Sequence, residues 1–188
     1  VSSAAADAGN VTVNLAGAAP AEAGTTATAV GIGIDGGAGN DTISNTGAIA
    51  ATSTATTDAS SVTVALVGYG DSQADNLSIA VATGIGGGEG NDSITNTGNV
   101  TLTSNSTAEA GSVSIGLAGA VYGEAGTTAS ALSIGLDGGA GSDRIENSGA
   151  IDAASTSSTE SSSTGVILAG YGESSAECAS IAAAIGIS

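Results

Sequence analysis

Apolar and polar positions alternate along two segments of the chain, and each segment recurs at a constant interval of 51 residues. In the first segment, Val62, Val64 and Leu66 alternate with small or polar residues, and this period of two predicts a strand whose apolar side chains face inward. The same columns hold Val11, Val13 and Leu15, then Val113, Ile115 and Leu117, then Thr164, Val166 and Leu168. Gly17, Gly68, Gly119 and Gly170 follow on the same parity, where we expect the strand to bend.

The second alternating segment predicts another inward-facing strand. In the second repeat its apolar positions are Leu77, Ile79, Val81 and Ile85. The equivalent apolar residues elsewhere are Val30, Ile32, Ile34, Leu132, Ile134, Leu136, Ile181, Ile185 and Ile187. The Ser/Thr/Ala-rich stretch before the first strand, such as residues 51–57, lacks this pattern and is expected to form a weakly paired side or an outward loop.

A glycine-rich stretch follows the second strand and occurs three times without insertion or deletion, at residues 36–44, 87–95 and 138–146. Stacked units that share a core must keep every residue in its column, whereas independent domains tolerate changes in loop length. Each stretch leads into Asp-x-Ile-x-Asn-x-Gly-x-Ile/Val, in which Asn45, Asn96 and Asn147 share the parity of the apolar residues. We therefore expect an asparagine ladder hydrogen-bonded along the stack, since a buried unpaired amide is unfavourable.

These patterns predict an all-β fold, a parallel β-solenoid (β-helix) built from 51-residue repeats. Residues 1–188 form a single repeat array with units at about 1–9, 10–60, 61–111, 112–162 and 163–188, the first and last being partial. Because the pattern is cut within a unit, we expect a segment of a longer chain. One coil of 51 residues would have a perimeter on the order of 150 Å, too wide for small side chains to fill. Two coils of about 25 residues or three of about 17 per repeat are therefore expected.

The composition narrows the possible partners and activities. One Lys or Arg stands against 18 Asp or Glu, a formal net charge of −17, so the chain cannot neutralise nucleic-acid phosphates or favour an anionic membrane surface. The sequence contains no run of about 18 apolar residues, so no membrane-spanning helix is predicted. With no His, no Lys and a single Cys, general acid–base catalysis would depend on carboxylates alone, and we expect that the protein is not an enzyme. Cys178 lies in the column of Thr25, Asn76 and Thr127, which favours an incidental substitution in that repeat over a reactive thiol.

The glycine-rich stretches resemble the nonapeptide Gly-Gly-x-Gly-x-Asp-x-apolar-x of the RTX repeats found in secreted bacterial toxins, proteases and adhesins. That resemblance implies stacked turns that bind Ca²⁺ through the Asp carboxylate and backbone carbonyls, and it makes Asp41, Asp92 and Asp143 candidate calcium ligands. The family's nonapeptides run in tandem, whereas these copies are isolated. The alternative is a structural turn in which glycines adopt φ > 0 and the Asp caps its own turn. The Asn-x-Gly-x-Ile/Val tail is also similar to the coils of β-helical autotransporter passengers and two-partner-secretion adhesins.

A second acidic column contains Asp7, Asp58, Glu109 and Glu160. Like charges stacked at about 4.8 Å repel by nearly 1 kcal/mol per pair even in water. Either a cation lies between these carboxylates, or the repeats are more than one coil apart.

The leading functional prediction is a structural or adhesive extracellular rod, a segment or subunit of a bacterial surface adhesin or extracellular fibre. Regular units and an acidic, Ser/Thr-rich exterior suit this class, and open terminal coils are β edges that would associate end to end. The alternative is a ligand- or ice-binding solenoid surface with calcium-stabilised turns, suggested by pairs such as Thr101 and Thr103. A surface receptor or a glycan stays open as a further partner. Tyr69, Tyr122 and Tyr171 belong either to one lateral contact feature or to simple packing.

Overall fold

The computed structural model describes all 188 residues as an all-β chain with parallel strands and no helix, an arrangement compatible with a β-solenoid. The strands are β1 (Ser2–Asn14), β2 (Gly17–Asp35), β3 (Thr42–Asn45), β4 (Ile49–Gly86), β5 (Ser93–Asn96), β6 (Val100–Asp137), β7 (Arg144–Asn147) and β8 (Ile151–Ile187). One sheet has β4 paired with β1, β2 and β6, and β6 with β8. The short strands β3, β5 and β7 form a second parallel sheet.

The pairing register is constant along the stack. Val62 pairs with Val11 on one side and with Val113 on the other, and every strand pair keeps this offset of 51 residues. We call each stretch of chain between one position and its register partner a rung. A column is the set of positions that the register places side by side in successive rungs. Rung 1 comprises residues 1–48, rung 2 residues 49–99, rung 3 residues 100–150 and rung 4 residues 151–188.

The expectation of two or three coils per repeat is not confirmed, because the hydrogen-bonded neighbour of each strand lies a full 51 residues away. The rung avoids a wide interior by folding flat. β4 bends near Leu66, which the pairing with β6 skips, and Gly68 at the bend has a φ of 127°. Residues 49–65, the first face, therefore lie against residues 69–86, the second face. We use these two names for the equivalent residues of every rung.

The two faces are close enough for direct hydrogen bonds across the interior. Ser61 Oγ donates to the carbonyl of Ala21 at 2.8 Å, and Ser53 Oγ donates to the carbonyl of Ala29 at 2.6 Å. A serine hydroxyl is only two bonds from its Cα, so these faces lie well inside the spacing of about 10 Å between ordinary packed sheets. Only Ala, Ser, Thr and Gly fit between them along most of the rung.

This spacing makes the prediction of inward Val and Leu on the first face wrong. The buried positions are Ser61, Thr63 and Ala65, whereas Val64 is half-buried and Leu66 is 39% exposed. The thin interior holds no side chain larger than Thr at these positions of rung 2, and the Val and Leu columns have the opposite parity and point to solvent. Most inward hydroxyls are satisfied because they donate to the facing backbone, as Thr63 Oγ1 does to the carbonyl of Asp71 at 2.7 Å, whereas the hydroxyls of Thr57 and Ser163 have no partner.

The second face follows the same rule over most of its length. Ala74, Ala80 and Ala82 are fully buried, and the predicted core residues Leu77, Ile79 and Val81 point outward. The alternation changes at Gly84, which the pairing with β6 also skips, and Ile85 then turns inward. The prediction of inward apolar residues is therefore correct for the column of Ile34, Ile85 and Leu136 and wrong for the outward columns before it.

The rung widens where β3, β5 and β7 add a third side. Here the interior holds a cluster of larger side chains: Ile85, Ile94, Val100, Leu102 and Leu136, with Ala51 and Ala82. The narrow part is filled by two clusters made only of alanine. Rungs 2 and 3 are the most enclosed, because rungs 1 and 4 each leave one edge of their strands open.

Candidate metal centre at the glycine turns

The glycine-rich stretches form stacked turns between the second face and the short third side. Gly88 and Gly90 have φ values of 100° and 137°, in the left-handed region that favours glycine. A Cβ at Gly88 would overlap the carbonyl oxygen of Gly37 in the rung before. The turns are also hydrogen-bonded to one another, since Gly39 N donates to Glu89 O at 2.8 Å and Glu89 N donates to Gly37 O at 2.8 Å.

The structure brings the three candidate ligands Asp41, Asp92 and Asp143 into one column. Asp92 is only 3% exposed. The Oδ1 atom of Asp92 accepts the backbone N–H of Asp41 at 2.7 Å, and Oδ1 of Asp143 accepts the N–H of Asp92 at 2.8 Å. The carboxylates of Asp92 and Asp143 therefore each cap the turn of the preceding rung. The alternative that the Asp carboxylate caps a turn is therefore correct, but the capped turn belongs to the preceding rung and is not the residue's own.

The second carboxylate oxygen in this column has no hydrogen-bond partner. Oδ2 of Asp41 and Oδ2 of Asp92 are both buried and unpaired. They point at the first glycine of the turn, because a Cβ at Gly87 would lie 2.7 Å from Asp92 Oδ2 and one at Gly36 would lie 3.1 Å from Asp41 Oδ2. A buried carboxylate oxygen without a donor or a cation is unfavourable by about 1–3 kcal/mol or more, so this is the atom at which a cation would stabilise the turn.

The donor set fits calcium only in part. Ca²⁺ takes about six to eight oxygens, and the available ones here are the Oδ2 atoms and the carbonyls of the stacked turns. No group of three or more His, Cys, Asp or Glu side chains that could hold a metal ion is present. Any calcium at this column would therefore depend mainly on backbone carbonyl oxygens.

The predicted asparagine ladder lies beside the carboxylate column and is confirmed. Nδ2 of Asn45 donates to Oδ1 of Asn96 at 2.7 Å, and Nδ2 of Asn96 donates to Oδ1 of Asn147 at 2.7 Å. Each amide also donates to the carbonyl of the glycine two residues on, such as Gly98 at 2.8 Å. Asn96 is fully buried with its amide paired on both sides.

The exposed acidic column of the first face is stacked at adjacent rungs. Asp58 pairs in register with Asp7 and with Glu109, and Glu109 pairs with Glu160. All four side chains are exposed. The alternative in which the repeats lie more than one coil apart is therefore wrong for this column, and at about 4.8 Å the carboxylates of adjacent rungs repel one another unless a cation lies between them.

The tyrosines form a row on the outside of the bend at Gly68, which we call the narrow end of the rung. The ring centroids of Tyr69 and Tyr122 are 5.3 Å apart, and those of Tyr122 and Tyr171 are 5.9 Å apart. Desolvation raises the pKa of Tyr69, and its hydrogen bond to Asp71 raises it further. The pKa of Tyr171 is raised chiefly because its hydroxyl donates to Glu173 at 2.9 Å.

Cys178 is exposed on the second face of rung 4. Hydrogen bonds from Ser161 and Thr127 lower the pKa of its thiol, and desolvation opposes them.

The chain matches no protein-family model, no curated protein sequence and no solved structure. No helix long and apolar enough to cross a membrane is present. The function must therefore be inferred from the architecture and from the chemistry of the columns.

Proposed function

We propose that the chain is part of a β-solenoid rod with one coil per 51-residue repeat, serving as a structural or adhesive element of an extracellular or cell-surface protein. The observation that carries the proposal is the unbroken parallel register from β1 to β8, in which each rung pairs only with its neighbours. Length in such an array grows by adding rungs, and a rod is the form that this growth gives. The resemblance to RTX repeats and to adhesin coils supports the same class.

End-to-end association is the expected mode of assembly. β1 and β2 leave one strand edge unpaired, and β8 leaves another at the opposite end of the stack. Both edges have the same shape and the same parallel direction, so the rung 1 edge of one copy can continue the rung 4 edge of another. The acidic column would then continue across the junction, with Asp7 of one copy next to Glu160 of another, and salt should favour assembly.

Calcium is proposed as a stabilising ion at the glycine turns. The buried unpaired Oδ2 atoms of Asp41 and Asp92 support this assignment, and Asp143 continues their column. The ion would neutralise stacked carboxylates that have no cationic partner, since the one basic residue, Arg144, pairs with Glu146. Its role would be to hold turns of adjacent rungs together and not to assist a reaction.

Electron microscopy and fibre diffraction with added Ca²⁺ and with excess chelator test these proposals. We expect filaments with an axial repeat of about 4.8 Å per rung. Filaments that shorten or fall apart on chelation would support the calcium assignment. Filaments that are unaffected by chelator would contradict the calcium assignment and leave the rod proposal in place. Compact monomers under both conditions would contradict the rod as an assembling element.

A ligand- or ice-binding surface is the second candidate. It is favoured by the flat first face, on which outward Thr52 and Thr56 pair in register with Thr103 and Thr107. The columns change in rung 4, where Ala154 and Ser158 replace them, so the threonine surface is short. Thermal hysteresis of the purified protein, compared with a T52V/T103V variant, would decide for or against it.

A further inference from the structure

The first face carries an uncovered apolar surface beside the narrow end. It consists of the outward columns that begin at Val62, Val64 and Leu66, which we call the Val/Leu stripe: Val11, Val13, Leu15, Val62, Val64, Leu66, Val113, Ile115, Leu117, Thr164, Val166 and Leu168. Its members include side chains that are 63% exposed at Val13, 53% at Leu117 and 79% at Leu168. The stripe is aliphatic in all but one position.

The stripe is large enough to require an explanation. At about 4.8 Å per rung and 3.3 Å per residue, four rungs and three columns cover on the order of 400 Å². Patches of about 300–600 Å² are the largest on typical monomers and are often binding surfaces. The stripe is also built almost entirely of branched aliphatic side chains, which pack well against another pleated surface.

The absence of charge on the stripe and its regular rung spacing indicate which partner would cover it. Of the 19 charged side chains, 18 are acidic and the lone arginine is already paired with Glu146, so two copies repel over most of their surface. The stripe itself contains no charge. A second copy of this chain offers the same uncharged stripe with the same rung spacing, so its columns match rung for rung over any length.

We propose that the Val/Leu stripe is the lateral contact between two copies of this chain, packed face to face about a two-fold axis parallel to the stack. In that orientation the Val64 column lies on the axis and meets its own copy, while the Val62 column meets the partner's Leu66 column. The acidic column at Asp58 lies about 20 Å from the axis, so the two acidic columns end up on opposite edges of the pair. A two-fold axis along the strands would instead set Asp58 against Asp58 across about 10 Å.

The lateral contact between two copies is expected to have low affinity with four rungs and to become stronger as rungs are added. The footprint on the order of 400 Å² is half of the roughly 800 Å² per partner of a standard interface. Because the axis is parallel to the stack, both rods point the same way, and added rungs enlarge the contact without changing it. This lateral contact uses no strand edge, so it stands independently of the end-to-end association proposed above.

Sedimentation velocity over a concentration series tests the contact. We expect V64T/I115T, which keeps β-branched side chains but removes two apolar surfaces per copy, to weaken lateral association at least about tenfold. The control V81T/I134T makes the same chemical changes on the outward side of the second face, and we expect less than about a twofold change. Far-UV circular dichroism should be unchanged in both. An equal effect of both pairs, or no lateral association in the unaltered protein, would overturn the proposal.

Crosslinking tests the orientation and separates it from end-to-end assembly. In a C178S background, a short bis-maleimide, which adds one thiol at each end, should join two copies of V64C and should not join two copies of D58C. Efficient crosslinking of D58C would overturn the axis parallel to the stack. Filaments that persist as single rods in V64T/I115T would show end-to-end assembly without the lateral contact, whereas crosslinked pairs without filaments would support the lateral contact alone.

Discussion

Val121 occupies the space that Gly116 leaves open on the facing side of rung 3. A Cβ at Gly116 would lie 2.6 Å from Val121 Cγ1, too close for both side chains. The neighbouring rungs reverse the arrangement: Ala65 faces Gly70 in rung 2, and Ile167 faces Gly172 in rung 4. At this point of the narrow end, one face supplies a side chain and the other supplies a glycine.

A double-mutant cycle at this pair should show coupling. We expect G116A alone to destabilise by about 1–3 kcal/mol through overpacking and V121G alone by about 2–4 kcal/mol through the cavity it leaves. G116A/V121G recreates the Ala65 and Gly70 arrangement, so its loss should be smaller than the two added together by about 0.5–2 kcal/mol. Denaturant unfolding measures all four proteins. Strict additivity would show that these residues do not share one space.

The asparagine ladder should contribute measurably to stability in the middle of the stack. Asn96 donates to Gly98 and Asn147 and accepts from Asn45, so N96A removes three hydrogen bonds and leaves buried groups unpaired. We expect a loss of about 2–4 kcal/mol in the free energy of unfolding. N105A, at an outward position of the first face in rung 3, is the control and should change it by less than about 0.5 kcal/mol. Equal values for the two variants would rule out a stabilising ladder.

Much of the fold could be predicted from the sequence because stacking fixes every column. The interval between the copies of Asn45, Asn96 and Asn147 gives the register, and their shared parity with buried Ile94 gives the ladder. These inferences need only the repeat and the alternation of a strand. The location of the candidate ligand Asp92 in a stacked turn follows from the same register.

The inward direction of the strands could not be predicted in the same way. Assigning apolar side chains to the interior assumes faces about 10 Å apart, which Val62 and Val64 would fill. The actual interior is thinner, and its inward positions hold Ser61 and Thr63, whose hydroxyls donate to the facing backbone. The informative signal was a column that never holds a large residue, such as Ala23, Ala74 and Ala125, whose side chains form an alanine-only cluster with Ala59 and Ala110. The flat shape of the rung follows from such columns.

Glycine substitutions should report whether the turns are stacked. G37A faces open space and meets only the unfavourable φ of 92°, so we expect a loss of about 1–2 kcal/mol. G88A has a similar φ and would also collide with the Gly37 carbonyl, so its loss should exceed about 3 kcal/mol. G111A has ordinary φ and nothing within 4 Å, and should be neutral or slightly stabilising. If G37A and G88A lose stability equally in thermal or denaturant unfolding, the turns of adjacent rungs are not in contact.

The tyrosine row should give the protein a pH dependence above pH 10. The hydrogen bond to Glu173 raises the pKa of Tyr171 above its ordinary value of 10.0, so the folded state holds the phenol proton more tightly than the unfolded chain. The corresponding stabilisation is fully present below pH 10 and is lost as the pH rises through the pKa of the folded protein. In a Y69F/Y122F background, E173Q should lower the phenolate titration midpoint of Tyr171 towards 10, because the neutral amide no longer opposes the phenolate charge. E177Q, on the same rung and outside the causes of this shift, should leave the midpoint in place. An unchanged midpoint in E173Q, followed by ultraviolet absorbance, would show that Glu173 does not control this proton.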